Sequence, residues 1–453
     1  MKKYSILYSV IAVLMIVVSS CNNAVKEKEM NGAGEILLSS EQNKASCAFL
    51  TTNGNNIPMV SWIEIDNKGW KHFYFSTLDT ATQKFSSPVS IPIEQDLSIH
   101  EEGMPKIAVK GDGSLFVMYE TSVPSKNSRW GLGDIRYIQS FDGGKSWTSP
   151  KSVAPEEIAK GLSCNFSDLT RLSDGEIGIT WLGTNPRSME MKAHAMTNMD
   201  HAMSEMKHTM HEEGRPVEFA KTEGKNGMSR PILIDPSACQ CCRTAVSSNK
   251  SGGISIAYRD LMPGDIRDIS VSTSDNNGNT FSVPLSFSDD HWVVDGCPHD
   301  GPAIVAIGSR GFAAWFTGSK KDEGVNYAEL DSLGRVIKRG NFSDKGRFIQ
   351  LGLLPDGTRI LAYNENYTKG DSVYSRIMVG KVLGNEAFEK EITPKDAQAN
   401  YPVVQAEDNK HVVVAWSDAG KVYYRVIRVN TIDSPKLNME TVAPFERMKL
   451  TVR

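Results

Sequence analysis

Seven times along the chain a short apolar run ends in Trp or Tyr, and few folds accommodate that many copies of one strand. The runs are Ile57-Pro-Met-Val-Ser-Trp62, Leu115-Phe-Val-Met-Tyr119, Ile177-Gly-Ile-Thr-Trp181, Ile254-Ser-Ile-Ala-Tyr258, Gly311-Phe-Ala-Ala-Trp315, Arg359-Ile-Leu-Ala-Tyr363 and Val412-Val-Val-Ala-Trp416. Turn residues precede several of them, as in Gly111-Asp-Gly113, Ser173-Asp-Gly175 and Gly252-Gly253. The aromatic ends are spaced by 48 to 77 residues. That leaves room for two further strands per unit, such as Asp134–Ile138 or Arg376–Val379. Apolar runs bounded by turn residues argue for strands throughout. Four-stranded units repeated at this period read as the blades of an all-β propeller. Seven copies are too many for one β-sandwich. The expectation is seven blades, or six if the first or last unit is partial.

A second mark points the same way. Ser140-Phe-Asp-Gly-Gly-Lys-Ser-Trp147 resembles the Asp-box (BNR repeat) of sialidase-like propellers, and Ser274-Asp-Asn-Asn-Gly-Asn-Thr-Phe281 is a looser copy with an extra residue. In such a hairpin the acidic side chain caps the turn backbone while the aromatic packs under the blade. The resemblance implies a position between third and fourth strands, on the face opposite the ligand-binding face.

The first 20 residues read as an export signal. Lys2 and Lys3 precede an apolar run from Ile6 to Val18, which is too short to span a bilayer comfortably. Val18-Ser-Ser-Cys21 resembles a bacterial lipobox, which implies cleavage before Cys21 and lipidation of its thiol. Asn22 after the cysteine implies the outer membrane, facing the periplasm or the cell surface. Residues 21–44 then form a polar, Lys/Glu-rich tether, residues 45–430 the propeller, and residues 431–453 a closing segment or tail. With a formal net charge of −4 and no long basic run, nucleic acid is not an expected partner.

The unusual chemistry lies in five cysteines. Cys164 precedes the first strand of the third unit. Cys239, Cys241 and Cys242, in Ser237-Ala-Cys-Gln-Cys-Cys-Arg243, precede that of the fourth. Cys297, followed by Pro298, His299 and Asp300, precedes that of the fifth. Loops that enter the first strand share one face of a propeller, so three successive blades would deliver thiols to one channel mouth. His100, Glu101, Glu102 and Met104 hold the equivalent place before the second unit.

An insert from Met189 to His211 follows a second strand and projects from the same face. Met196, Met199, Met203, Met206 and Met210 fall in steps of 3, 4, 3 and 4, with His194, His201 and His208 seven apart and His211 at the end. On a helix this is a methionine stripe, either a packing face or a thioether arm. Thiolate, thioether and imidazole together are the ligand set of a soft metal such as copper. For the cysteines two readings stand side by side, disulfides of an exported protein and a metal-thiolate site. Cys239, Cys241, Cys242 and Cys297 are the main ligand candidates, and Cys164 and His299 are secondary ones. Zinc fits less well, because Cys-x-Cys-Cys lacks the two-residue spacer of common zinc sites. The copper reading implies a donor or acceptor protein as partner.

The sialidase-like resemblance also implies a glycoside hydrolase. Such enzymes clamp a carboxylate with arginines, whose planar fork suits it, and use a Tyr–Glu nucleophile with an Asp acid/base. Arg243, Tyr258, Arg259, Asp260 and Arg267 are the candidates, with Arg230 as a further arginine. The family's early arginine has no counterpart, since the first arginine here is Arg129. A propeller that binds a glycan or a protein without catalysis is a third expectation.

Overall fold

A computed structural model of the protein describes residues 34–125, 128–184 and 214–436. The strands form seven antiparallel sheets arranged as a seven-bladed β-propeller. The inner strands are Lys44–Thr52, Lys106–Val109, Asn165–Arg171, Ala245–Ser248, Ala303–Ile307, Gly346–Leu353 and Ala399–Ala406, numbered here as blades 1 to 7. They surround a central cavity of about 400 Å³, lined among others by Thr51, Lys106, Asp168, Arg243, Gln350 and Gln405.

The second strands carry the seven repeats. Residues 177–182 and 412–416 are buried at every position. A strand in the middle of a blade is covered on both faces by neighbouring blades, so its sequence is continuously apolar rather than alternating. All seven terminal aromatics are buried: Trp62, Tyr119, Trp181, Tyr258, Trp315, Tyr363 and Trp416. Six also donate a hydrogen bond to a carboxylate, since a buried indole N–H or phenol O–H needs an acceptor. Trp62 donates to Glu64, Tyr119 to Glu94, Trp181 to Glu218, Tyr258 to Asp235, Trp315 to Asp290 and Tyr363 to Glu389, at 2.5–3.3 Å. Among the described residues Trp416 Nε1 finds no acceptor.

Ser140–Trp147 and Ser274–Phe281 make the same turn between third and fourth strands. Asp142 Oδ1 accepts from the main-chain N–H groups of Lys145 and Ser146 at 3.0 and 2.9 Å, and Oδ2 from the Ser146 hydroxyl at 2.6 Å. In the looser copy Asn276 Oδ1 takes the place of the carboxylate and accepts from the Thr280 N–H at 3.0 Å. The hydrogen bonds at Asp142, led by that from Ser146, hold its carboxyl down at about 2. Gly278, at φ +75°, lies so close under Phe219 of blade 3 that a Cβ would stand 2.5 Å from the ring. Glycine is required there for both backbone conformation and space.

Two expected boundaries shift. The tether placed at residues 21–44 ends earlier, because Ile36–Leu37 is the outer strand of blade 7. Ile36 pairs with Tyr424 and Leu37 with Tyr423. Without this piece the strand Lys421–Arg428 would be left with an open edge. Within residues 431–436, Ser434–Pro435 adds a fifth strand to blade 6, so the propeller runs past residue 430. Cys21 and the insert Met189–His211, with Met196, Met199, His201, Met203, Met206, His208, Met210 and His211, lie outside the described residues. The described residues on either side of the insert sit on the face where the inner strands begin: Thr184 bonds Ser163, and Arg215 pairs with Ala238, next to Cys239.

Candidate metal and ligand site at the channel mouth

Inner strands start at the mouth, and in blades 1, 3, 6 and 7 the start is bulged. The bulges hold Cys47, Phe166, Phe348 and Tyr401 at φ 52–57°, and His299, ahead of the blade 5 strand, stands at φ 49°. A non-glycine residue in this region costs roughly 1 kcal/mol or more and persists only where its surroundings hold it. The rim that results is aromatic. His100 meets Phe166 edge-on at 5.7 Å and His299 at 5.6 Å, and Phe348 packs on Tyr401 at 4.3 Å.

The loop from blade 3 to blade 4 brings three thiols together against Phe166. Cys239 Sγ lies 3.9 Å from Cys241 Sγ and 3.7 Å from Cys242 Sγ, and all three residues are buried. A second group shares Cys241: its sulfur, that of exposed Cys297 and a ring nitrogen of His299 lie within 4.8 Å of one another. Cys164 does not join either group. It sits in the apolar cluster of blades 2 and 3 with Ile135, Val153 and Trp181, and burial raises its pKa. The six described cysteines, Cys47 included, are free thiols.

Electrostatics favour thiolate here. Hydrogen bonding with Cys241, then Cys242, holds the Cys239 thiol well below its usual range, and the charges of Arg267 and Arg259 add to this. The Cys297 thiol is drawn down to about 7, first by its contact with Cys241 and further by Arg267. Cys241 is pushed up by donating to its neighbours, and Cys242 chiefly by burial. One proton-poor sulfur at each end of the cluster is therefore stabilised, first by contact with Cys241 and then by arginine charge.

The arginines named for a carboxylate clamp are placed differently from what a clamp needs. Arg243, Arg259 and Arg267 are 5 %, 1 % and 4 % exposed. Arg243 binds Glu102 Oε1 at 2.7 Å and the Ile349 carbonyl at 2.8 Å. Arg259 donates to the carbonyls of Arg267, Asp300 and Phe316 and lies 5.0 Å over the Trp292 ring. Tyr258 is buried on Asp235, and Asp260 accepts from Ser270 and the Leu261 N–H. Arg230 is exposed, away from these residues in blade 3. These groups underpin the mouth rather than face a sugar across it.

What the cysteine motif alone did not reveal is the set of acids beneath. Glu102 accepts from Arg243 Nη1, the Arg243 N–H and the Gly301 N–H, tying blades 2, 4 and 5. Asp300 pairs with Arg347 at 3.2 Å, and Lys106 lies 4.0 Å from Asp168. Burial pushes Glu101, Glu120 and Glu218 up to about 7 and Asp260, Asp290 and Asp300 up to about 6. In an unfolded chain such groups titrate near pH ~4. Between about pH 4 and 7 the native state thus binds more protons than the unfolded state, so stability falls as pH rises through that window. His100, lowered by burial, and the thiols of Cys239 and Cys297, held down by Cys241, act in the opposite direction toward the upper end, three groups against six. The denaturant midpoint is expected to be higher at pH 5 than at pH 8, with a smaller difference in Glu101→Gln. A midpoint that rises over this range would contradict the assignment.

No protein-family model matches the chain, and no curated protein resembles it in sequence. Solved structures do share its architecture. It aligns with an ulvan lyase from a new polysaccharide lyase family at 10 % identity and TM-score 0.52, over 87 % of this chain and 96 % of that one. The polysaccharide lyase Uly1 aligns at 12 % identity and TM-score 0.50, over 85 % and 90 %. A mutant of the NanB sialidase from Streptococcus pneumoniae aligns at 10 % identity and TM-score 0.48, over 89 % and 71 %. At these identities the likeness is one of fold: the chain has a propeller of the kind found in the two polysaccharide lyases.

Proposed function

We propose that the protein is a cell-envelope propeller that binds a soft metal ion, copper as Cu(I), at the thiol cluster of the channel mouth. The observation that carries this is the spacing of the sulfurs. Three thiolates about 2.3 Å from one ion stand roughly 3.8–4.0 Å apart, against 3.9 and 3.7 Å for the two separations from Cys239. A disulfide needs about 2.05 Å. Thiolate and imidazole are ligands that a soft ion prefers, and buried guanidinium groups offset the negative charge of the sulfurs. In this reading Cys21 carries a lipid, and the Met/His insert captures ions weakly and passes them to the thiols. The partner is a copper donor or acceptor in the same compartment.

A hydrolase or glycan-binding role is the second reading, and one observation favours it. Arg347, partly exposed, is stacked between Phe316 and Phe348 at 4.6 and 5.0 Å beside Tyr401. Aromatic faces next to a guanidinium suit an acidic sugar.

The test is an anaerobic titration of the reduced protein with Cu(I) against a competing chelator. Wild type is expected to hold copper against the chelator. The Cys241→Ser/Cys242→Ser variant should lose the tightest binding by at least ~100-fold, because a hydroxyl is a poor ligand for a soft ion. Equal affinity in both proteins would remove copper binding at this site.

A further inference from the structure

The two ligand groups at the mouth are not alternatives. One is Cys239, Cys241 and Cys242, the other Cys241, Cys297 and His299, and they have Cys241 in common. Building on the soft-metal reading, we infer that the mouth holds two Cu(I) ions bridged by the Cys241 thiolate, an inner ion on Cys239 and Cys242 and an outer one on Cys297 and His299. A thiolate sulfur has lone pairs enough to bind two soft ions at once, which an imidazole nitrogen cannot do. The inner group is buried, while Cys297 and His299 of the outer group are exposed, so the pair forms a short path from solvent inward.

Soft monovalent ions suit this ligand set. Four thiolates and two Cu(I) ions carry a net charge of −2, and they lie beside the buried Arg259, whose carbonyl accepts from the Cys239 N–H. A single zinc ion would need four sulfurs about 3.8 Å apart in one tetrahedron. The four sulfurs here do not fall within 4.8 Å as one group.

The shared ligand makes a distinctive prediction. The full-length reduced protein is titrated with Cu(I) in the presence of enough chelator to strip thioether-only sites, and X-ray absorption is recorded on the loaded protein. Wild type should retain two equivalents and show a copper–copper scattering vector. Cys297→Ser, at an exposed position, should retain one equivalent and lose the vector, and Cys239→Ser should behave likewise. Cys241→Ser should weaken both equivalents. One equivalent in wild type, unchanged in Cys297→Ser, overturns the two-ion site while the single-ion reading stands. No retained copper in wild type overturns both. Two retained zinc ions in place of copper, with the same dependence on Cys241, overturns the Cu(I) assignment.

Discussion

Replacing Glu102 with alanine is expected to lower the unfolding free energy by about 3–5 kcal/mol, the range for removing one partner of a buried ion pair. The carboxylate is buried and accepts three hydrogen bonds, from Arg243 Nη1, the Arg243 N–H and the Gly301 N–H. Alanine leaves the Arg243 guanidinium 5 % exposed with the Ile349 carbonyl as remaining partner, and leaves two main-chain N–H groups without this acceptor. Glu102→Gln keeps the shape and one carbonyl oxygen, and should cost less. The readout is the denaturant midpoint at constant slope. A loss under ~1 kcal/mol for the alanine variant would mean that water replaces the carboxylate and that the mouth is wetter than its packing implies. Because Arg243 directly follows Cys242, Glu102→Ala should also loosen the thiol loop, seen as faster alkylation of Cys242.

The second large effect is expected at Trp315. Its ring is fully buried, meets Phe287 edge-on at 5.4 Å and lies under Arg339 at 5.5 Å, while Nε1 donates to Asp290 at 2.7 Å. Trp→Ala in a core costs about 3–5 kcal/mol from lost burial and the cavity left behind. Here the donor to a buried carboxylate goes too, for roughly 1–3 kcal/mol more. Trp315→Phe keeps most of the ring and loses only the donor, so it separates the two contributions. If the phenylalanine variant were as stable as wild type, the carboxylate contact would be incidental. The same pair of changes at Trp416, which lacks such an acceptor, should show a smaller gap between phenylalanine and tryptophan.

These aromatics mark what a reader of the sequence could see. Each ends an apolar run, and every one is buried at the same point of its blade, so blade number and core followed from spacing alone. Their carboxylate partners did not. Glu64 lies two residues after Trp62, but Glu218 comes 37 after Trp181 and Asp290 comes 25 before Trp315. Such distances depend on loop lengths that no pattern encodes. The same holds at the mouth. Cys239, Cys241, Cys242, Cys297 and His299 converge because each precedes an inner strand. Cys164 precedes one as well, yet it turns outward. Its N–H is bound to the Gly133 carbonyl of blade 2, and the left-handed bulge that redirects a side chain comes two residues later, at Phe166. The arginines were visible as neighbours of the cysteines, but whether they face a ligand or lie beneath the site depends on which main-chain carbonyls capture them. Ile36–Leu37 was hidden by its length, since the three apolar residues Ile36 to Leu38 in a polar stretch make no periodic signal.

That short strand also sets an orientation. In every blade the inner strand runs away from the mouth, the second returns, the third runs away and the outer strand returns. Ile36–Leu37, antiparallel to Lys421–Arg428, therefore heads toward the mouth, and Glu35 before it lies toward the opposite side. If Cys21 is lipidated, about 15 residues separate the anchor from Ile36, a reach of at most ~50 Å. The underside would then be the face nearer the anchor. On the proposed copper reading, a partner approaching from the aqueous side would meet the thiols first.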